Sequence, residues 1–250
     1  MRFLKRLRKL PYCEDIFCET LSDAKHDSIR LLGGHPVLKE NRHESFDNIL
    51  ICFPPGERYA EEVSRTLSCW NKKGRALLIS STGVYSENSG QFVDESSPVN
   101  AKSQLVSAEN IALSTGASVF RLAGLYGEHS GPHIYWARRG KLSSLPEGWI
   151  NLLHREDATT AIELFFRHED DEHKNKLWNV SDGSPIQRQS IATIWEKRSK
   201  TKISFEHDQE NQSFGKKISN KRFLQDFLFS PTHPNFGEFC RSLEVFDEIS

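Results

Sequence analysis

Short apolar runs alternate with amphipathic stretches along the first half of the chain, and their spacing predicts a layered α/β domain. Asn48-Ile-Leu-Ile-Cys-Phe53, Ala76-Leu-Leu-Ile-Ser80 and Ser118-Val-Phe-Arg-Leu122 are near-continuous apolar runs. Strands that are apolar on both sides belong in a parallel sheet covered by helices on both faces. Residues 15–18 and 35–38 are shorter candidates for the same sheet. Helical patterns occupy 3–10, 22–32, 59–70 and 103–113. Ser22 is the expected N-cap of the second of these and Gly33-Gly34 its stop. Pro54-Pro55-Gly56 terminates the run before it. A doubly wound α/β fold follows.

The second half is more mixed. Residues 149–153 read as extended, and 155–166 as a helix with Ala158, Ala161, Ile162 and Phe165 on one face. A strand over 176–180 and a helix over 185–198 come next. His168-Glu-Asp-Asp-Glu-His173 contains metal-ligand residue types. A run of like charge between a helix and a strand reads instead as a solvated turn.

Composition narrows the setting. A length of 250 residues suits one domain with a small lobe, and 37% hydrophobic content supplies its core. The 33 Lys and Arg nearly balance the 34 Asp and Glu, so no net field draws nucleic acid or a membrane surface. No apolar run approaches the ~20 residues of a membrane helix. Cys13, Cys18, Cys52, Cys69 and Cys240 are odd in number and never spaced as Cys-x-x-Cys, which points to a reducing compartment rather than disulfides or zinc. Cys52, inside an apolar run, is expected to be a buried small hydrophobe. The basic N-terminus lacks the apolar centre of a secretory signal. Phe3, Leu4, Leu7 and Leu10 mark one face of a helix expected to pack on the sheet, with an organelle-targeting peptide as the alternative.

Four segments carry a resemblance: Ser80-Ser81-Thr82-Gly83-Val84-Tyr85; Phe120-Arg-Leu-Ala-Gly-Leu-Tyr126-Gly127; Ile150-Asn-Leu-Leu-His154-Arg-Glu-Asp157-Ala158; and Asn179-Val-Ser-Asp-Gly183. In this order and spacing the chain resembles the extended, epimerase/dehydratase-like branch of the short-chain dehydrogenases, in an atypical form. The resemblance implies a Rossmann-like doubly wound parallel sheet with a small C-terminal substrate lobe. Residues 1–127 would form an incomplete nucleotide-binding core, and 128–250 the remaining sheet elements and the lobe. It further implies NAD or NADP as cofactor. Glu19 and Thr20 would lie at the ribose, where an acidic residue favours NAD. Phe53, Pro54 and Pro55 would pass the adenine ribose, and Ser80, Ser81, Leu122, Ala123 and Gly124 would edge the nicotinamide pocket. Ser81 matches the slot of the hydroxyl that polarises the substrate. His154 and Asp157 are expected to anchor their helix rather than do chemistry.

Two features of the family pattern are missing. Its Tyr-x-x-x-Lys pair, in which the ammonium lowers the phenol pKa from ~10, has no match at any of the five tyrosines. With Glu109 on the glutamate usual in that helix, the Tyr and Lys slots hold Ala101 and Leu105. The first strand and its glycine-rich phosphate loop are also absent: the first glycine is Gly33. In the order 3-2-1-4-5-6 that strand lies between the second and the fourth, and each unpaired buried backbone group left behind costs roughly 1–3 kcal/mol. Either residues 15–18 pair directly with 48–53, or the protein begins upstream of Met1, the arrangement the unadapted sequence favours. Function then divides into an NAD(P)-dependent oxidoreductase or epimerase-type enzyme on a small molecule, and a catalytically inactive binding or regulatory protein.

Overall fold

Strand and helix alternate from the start of the chain. After α1 (Arg2–Leu7) come β1 (Phe17–Thr20), α2 (His26–Leu31), β2 (His35–Leu38), β3 (Ile49–Ile51), α3 (Tyr59–Leu67), β4 (Ala76–Ser81), β5 (Ser89–Val93), α4 (Gln104–Thr115) and β6 (Ser118–Leu122). β7 (Gly124–Tyr126), α5 (Pro132–Arg139), β8 (Lys141–Leu142), β9 (Trp149–Ile150), β10 (Leu152–His154), α6 (Arg155–Arg167) and β11 (Leu177–Val180) follow. Then come β12 (Ile186–Gln187), α7 (Arg188–Ser199), β13 (Ser204–Phe205), β14 (Gly215–Ile218), α8 (Lys221–Phe227) and α9 (Phe236–Ser242). The computed structural model describes residues 2–7, 15–41, 45–168, 173–206 and 213–243.

The central sheet is parallel, in the order β11-β6-β4-β3. Its apolar runs are buried on both faces because successive side chains point to opposite sides. Leu77 and Phe120 pack with Phe165 of α6 and Phe223 of α8 on one face, joined by Phe3 of α1. Leu78 and Val119 pack with Val63 of α3 and Ala108 and Ala112 of α4 on the other. Helices on both faces of a parallel sheet make this the doubly wound, Rossmann-like α/β fold that the sequence predicts.

β1 pairs in parallel with β2, from Phe17 opposite His35 to Thr20 opposite Leu38. Among the described residues no ladder joins β1 to β3, so direct pairing of 15–18 with 48–53 does not occur. Side chains connect the two blocks instead. Arg65 of α3 forks onto Glu19 of β1, and Lys39 donates to Glu62 of α3 at 2.6 Å. The Phe17 and Phe46 rings lie 5.3 Å apart.

Three local expectations change. The helix expected over 22–32 is a 3-10 turn, Asp23–Lys25, followed by α2, and the Ser22 side chain makes no capping bond. Lys25, at φ −113° and ψ 3°, breaks the continuity. Gly33 does stop the helix, at a φ of 80° that disfavours any residue with a β-carbon. Cys52 is exposed rather than in the core, because the β3 ladder ends at Ile51. Of the segment 168–173, residues 169–172 lie outside the described residues; the His168 and His173 rings stack at 4.2 Å. No described helix is long and apolar enough to cross a membrane.

A second body of structure includes the mixed sheet β12-β9-β14-β5 and the pair β13–β8. β8, β9, β12 and β13 pack on a core of Trp136, Ile191, Phe236 and Phe239 built around Tyr126 and Leu152, while Val93 of β5 and Ile218 of β14 pack with Val84, Tyr85 and Val106.

Candidate functional site

The C-terminal ends of β3, β4 and β6 meet at one edge of the sheet. Ser81 stands opposite Leu122, and Ile51 opposite Leu78, so 53–55, 81–82 and 122–124 come out side by side. A crevice beyond the carboxyl ends of parallel strands is where open α/β sheets bind ligands.

The two serines of β4 part company here. Ser80 is buried, and its hydroxyl donates to Glu109 Oε1 at 2.5 Å. Glu109 also accepts Arg121 Nε at 3.0 Å and Nη2 at 2.6 Å. The Arg121 guanidinium lies 4.8 Å from the centre of the Tyr85 ring, and the Tyr85 hydroxyl donates to Asn179 Oδ1 at 2.7 Å. The network ties β4, α4, β6 and β11 together beneath the crevice. Ser80 is therefore held inside this network, with its hydroxyl engaged by Glu109. Ser81 is half-buried, and its oxygen accepts the Gly83 N–H at 3.1 Å, which leaves its own hydrogen to donate.

Leu122 at the end of β6 and Ala123 just after it are buried, with the Ala123 N–H donated to Val180 O at 2.9 Å. Gly124 is exposed; its N–H goes to Asn151 O at 3.0 Å, and a β-carbon would come 3.1 Å from that same oxygen. Phe53 is half-buried and edge-on to Tyr59 at 5.3 Å. Pro54 and Pro55 are exposed and offer no N–H. Pro55, Gly56, Ser103, Gln104 and Leu105 line an open depression of about 250 Å³ between the end of β3 and the start of α4. Leu105 is thus part of this wall, and Ala101 is exposed just before α4.

Glu19 and Thr20 are engaged within the protein. Glu19 is held by Arg65, and the Thr20 hydroxyl pairs with His26 Nε2 at 2.8 Å. No tyrosine replaces the missing phenol among the described residues of the crevice. Tyr59, Tyr85 and Tyr126 are each at most 3% exposed, and burial drives the Tyr59 phenol up to about 12. Burial likewise raises Tyr85. Tyr135 is exposed but on α5, where it accepts Arg139 Nη1 at 2.7 Å.

One residue at this loop is invisible to the sequence patterns. Lys216 of β14 donates Nζ to the Tyr85 carbonyl at 2.6 Å, and burial lowers its pKa. It arrives through β14–β5 pairing, which no apolar run announces. The anchoring role expected of His154 and Asp157 is also visible. His154 Nδ1 accepts the Glu156 N–H at 3.3 Å, and Asp157 accepts Thr232 N at 2.7 Å and His233 N at 3.0 Å.

No protein-family model matches the chain, and no curated protein matches its sequence. Solved structures do match its shape. UDP-glucuronic acid 4-epimerase from Bacillus cereus, in complex with UDP-glucuronic acid and NAD, is 13% identical with a TM-score of 0.77, covering 96% of this chain and 92% of that one. A functionally unknown conserved protein from Silicibacter pomeroyi is 21% identical with a TM-score of 0.75 over the same shares. dTDP-glucose 4,6-dehydratase from Bacillus anthracis, in complex with NAD, is 16% identical with a TM-score of 0.69, over 96% and 90%. The chain has the Rossmann-like fold of these epimerase and dehydratase structures.

Proposed function

We propose that the chain binds an NAD-type dinucleotide at the crevice above β3, β4 and β6, beside a small-molecule substrate, as an epimerase- or oxidoreductase-type protein. The observation that carries this reading is the side-by-side emergence of 53–55, 81–82 and 122–124, with the Ser81 hydrogen free to donate. The NAD complexes of the epimerase and dehydratase neighbours support it. Near-balanced charge favours a small ligand over nucleic acid or a membrane.

The residues present suit the two ends of such a ligand unequally. Ser81, Gly124 and the wall at Leu105 suit the nicotinamide end. For the phosphate end, Gly33, the first glycine of these 250 residues, is taken up in closing α2. At the ribose position Glu19 already bonds to Arg65, so preference for NAD depends on breaking that pair. Ala101 and Leu105 can neither give nor take a proton. They favour a second reading, in which the fold binds or regulates without catalysing.

Backbone amide shifts on titration with NAD test the proposal. Changes centred on residues 53, 56, 81–83, 103–105 and 122–124 are expected; no change, or changes that leave these residues out, would refute it. If turnover of any substrate is found, Ser81→Ala should abolish it, and unaltered turnover would remove Ser81 from the chemistry.

A further inference from the structure

A second cluster of titratable groups lies apart from that crevice, where β7, β10 and α6 meet the segment 229–235 that leads into α9. Tyr126 is fully buried opposite His154 in the β7–β10 ladder. Asp182 follows β11, is nine-tenths buried, and is fixed by its N–H to Leu152 O at 2.9 Å. Neither the Tyr126 hydroxyl nor Asp182 Oδ2 has a hydrogen-bond partner among the described residues.

One carboxyl group holds the segment 229–235 directly, and a second reaches it through Ser184. Asp157 receives the N–H groups of Thr232 and His233. Asp182 Oδ1 accepts Ser184 N at 2.9 Å, and the Ser184 hydroxyl donates to Pro234 O at 3.1 Å. The His154 and His233 rings pack at 3.8 Å over the same place.

We propose that Asp182 is a proton-operated latch on the segment 229–235: with its carboxyl protonated the segment stays packed on the N-terminus of α6, and loss of the proton puts a second negative charge beside Asp157 and loosens it. The titratable group whose charge acts on Asp182 is Asp157 of α6, and both lie beside Tyr126 of β7, which also feels Cys240 of α9. Burial first, and the charge of Asp157 after it, hold the Asp182 carboxyl up at about 7, from 3.8. Cys240, pushed up to about 11 by burial, stays neutral through that range. Burial and the charges of Asp182 and Asp157 also raise Tyr126, which stays a phenol.

The sign follows from the raised value. Between about pH 4 and pH 7 the unfolded chain gives up this proton while the folded chain keeps it, so folding weakens as pH rises through that window. A three-unit difference amounts to roughly a thousandfold change in the folding equilibrium. None of this depends on nucleotide binding in the crevice.

The carboxyl carbon of Asp182, followed by NMR in the wild-type chain, should titrate near pH 7. A midpoint near 4 would overturn the proposal. Asp182→Asn should match wild type in thermal midpoint at pH 4.5 and exceed it at pH 8. In that variant the Thr232 and His233 amides should lose the extra exchange, beyond the intrinsic pH effect, expected in wild type above pH 7. A variant that keeps the wild-type pH profile, or is the less stable at pH 8, would also overturn it.

Discussion

The β1–β2 pair and the four-stranded sheet β11-β6-β4-β3 are both parallel and both lie beside α3, yet they are held by different forces. Every residue of β6 is buried, whereas none of β1 or β2 is. The sheet is covered on both faces by helices. The pair has Leu4 and Ile29 packed near Gly34 on one side, and the Arg65–Glu19 and Lys39–Glu62 contacts toward α3. A parallel ladder depends on cover from both faces. The half of the crevice built from β4 and β6 is therefore firm, and the half facing β1 is soft.

Mutations sharpen that contrast. Glu109→Ala strands Arg121, only 6% exposed at its side chain, without a carboxylate and should cost about 3–5 kcal/mol in urea unfolding. Tyr85→Phe removes the hydroxyl from Asn179 Oδ1 and should cost about 1–3 kcal/mol in the same measurement. Glu19→Ala breaks a pair whose side chains are 23–34% exposed, and should cost about 0–1 kcal/mol, falling further in high salt. Equal losses at Glu109 and Glu19 would erase the distinction. Hydrogen exchange reports it without mutation: amides of β4 and β6 should open only with global unfolding, and those of β1 and β2 well before it.

The same contrast governs what could be read from sequence. The runs over β3, β4 and β6 are legible because burial on both faces keeps most of their positions apolar. The α6 start is legible because His154 and Asp157 stand where a cap and an anchor belong. The β5–β14 pairing is not, since Ser89-Gly-Gln-Phe-Val93 and Gly215-Lys-Lys-Ile218 carry too few apolar residues to stand out. Lys216 is lost with it. Ser80 and Ser81 read alike in the sequence, yet adjacent strand residues face opposite ways, and only Ser80 reaches the Glu109 carboxylate. Glu109 among Val106, Ala108 and Ala112, and Arg121 inside an apolar strand, were the available sign that a buried pair awaited that hydroxyl.

The central claim is nucleotide binding by a crevice of which one half is built in advance. Its most direct test is a fluorescence titration of NADH into the folded chain, with cooperative thermal unfolding checked on the same sample. Saturable enhancement that competes with NAD is the predicted result. No saturable change, from protein that still unfolds cooperatively, would contradict it.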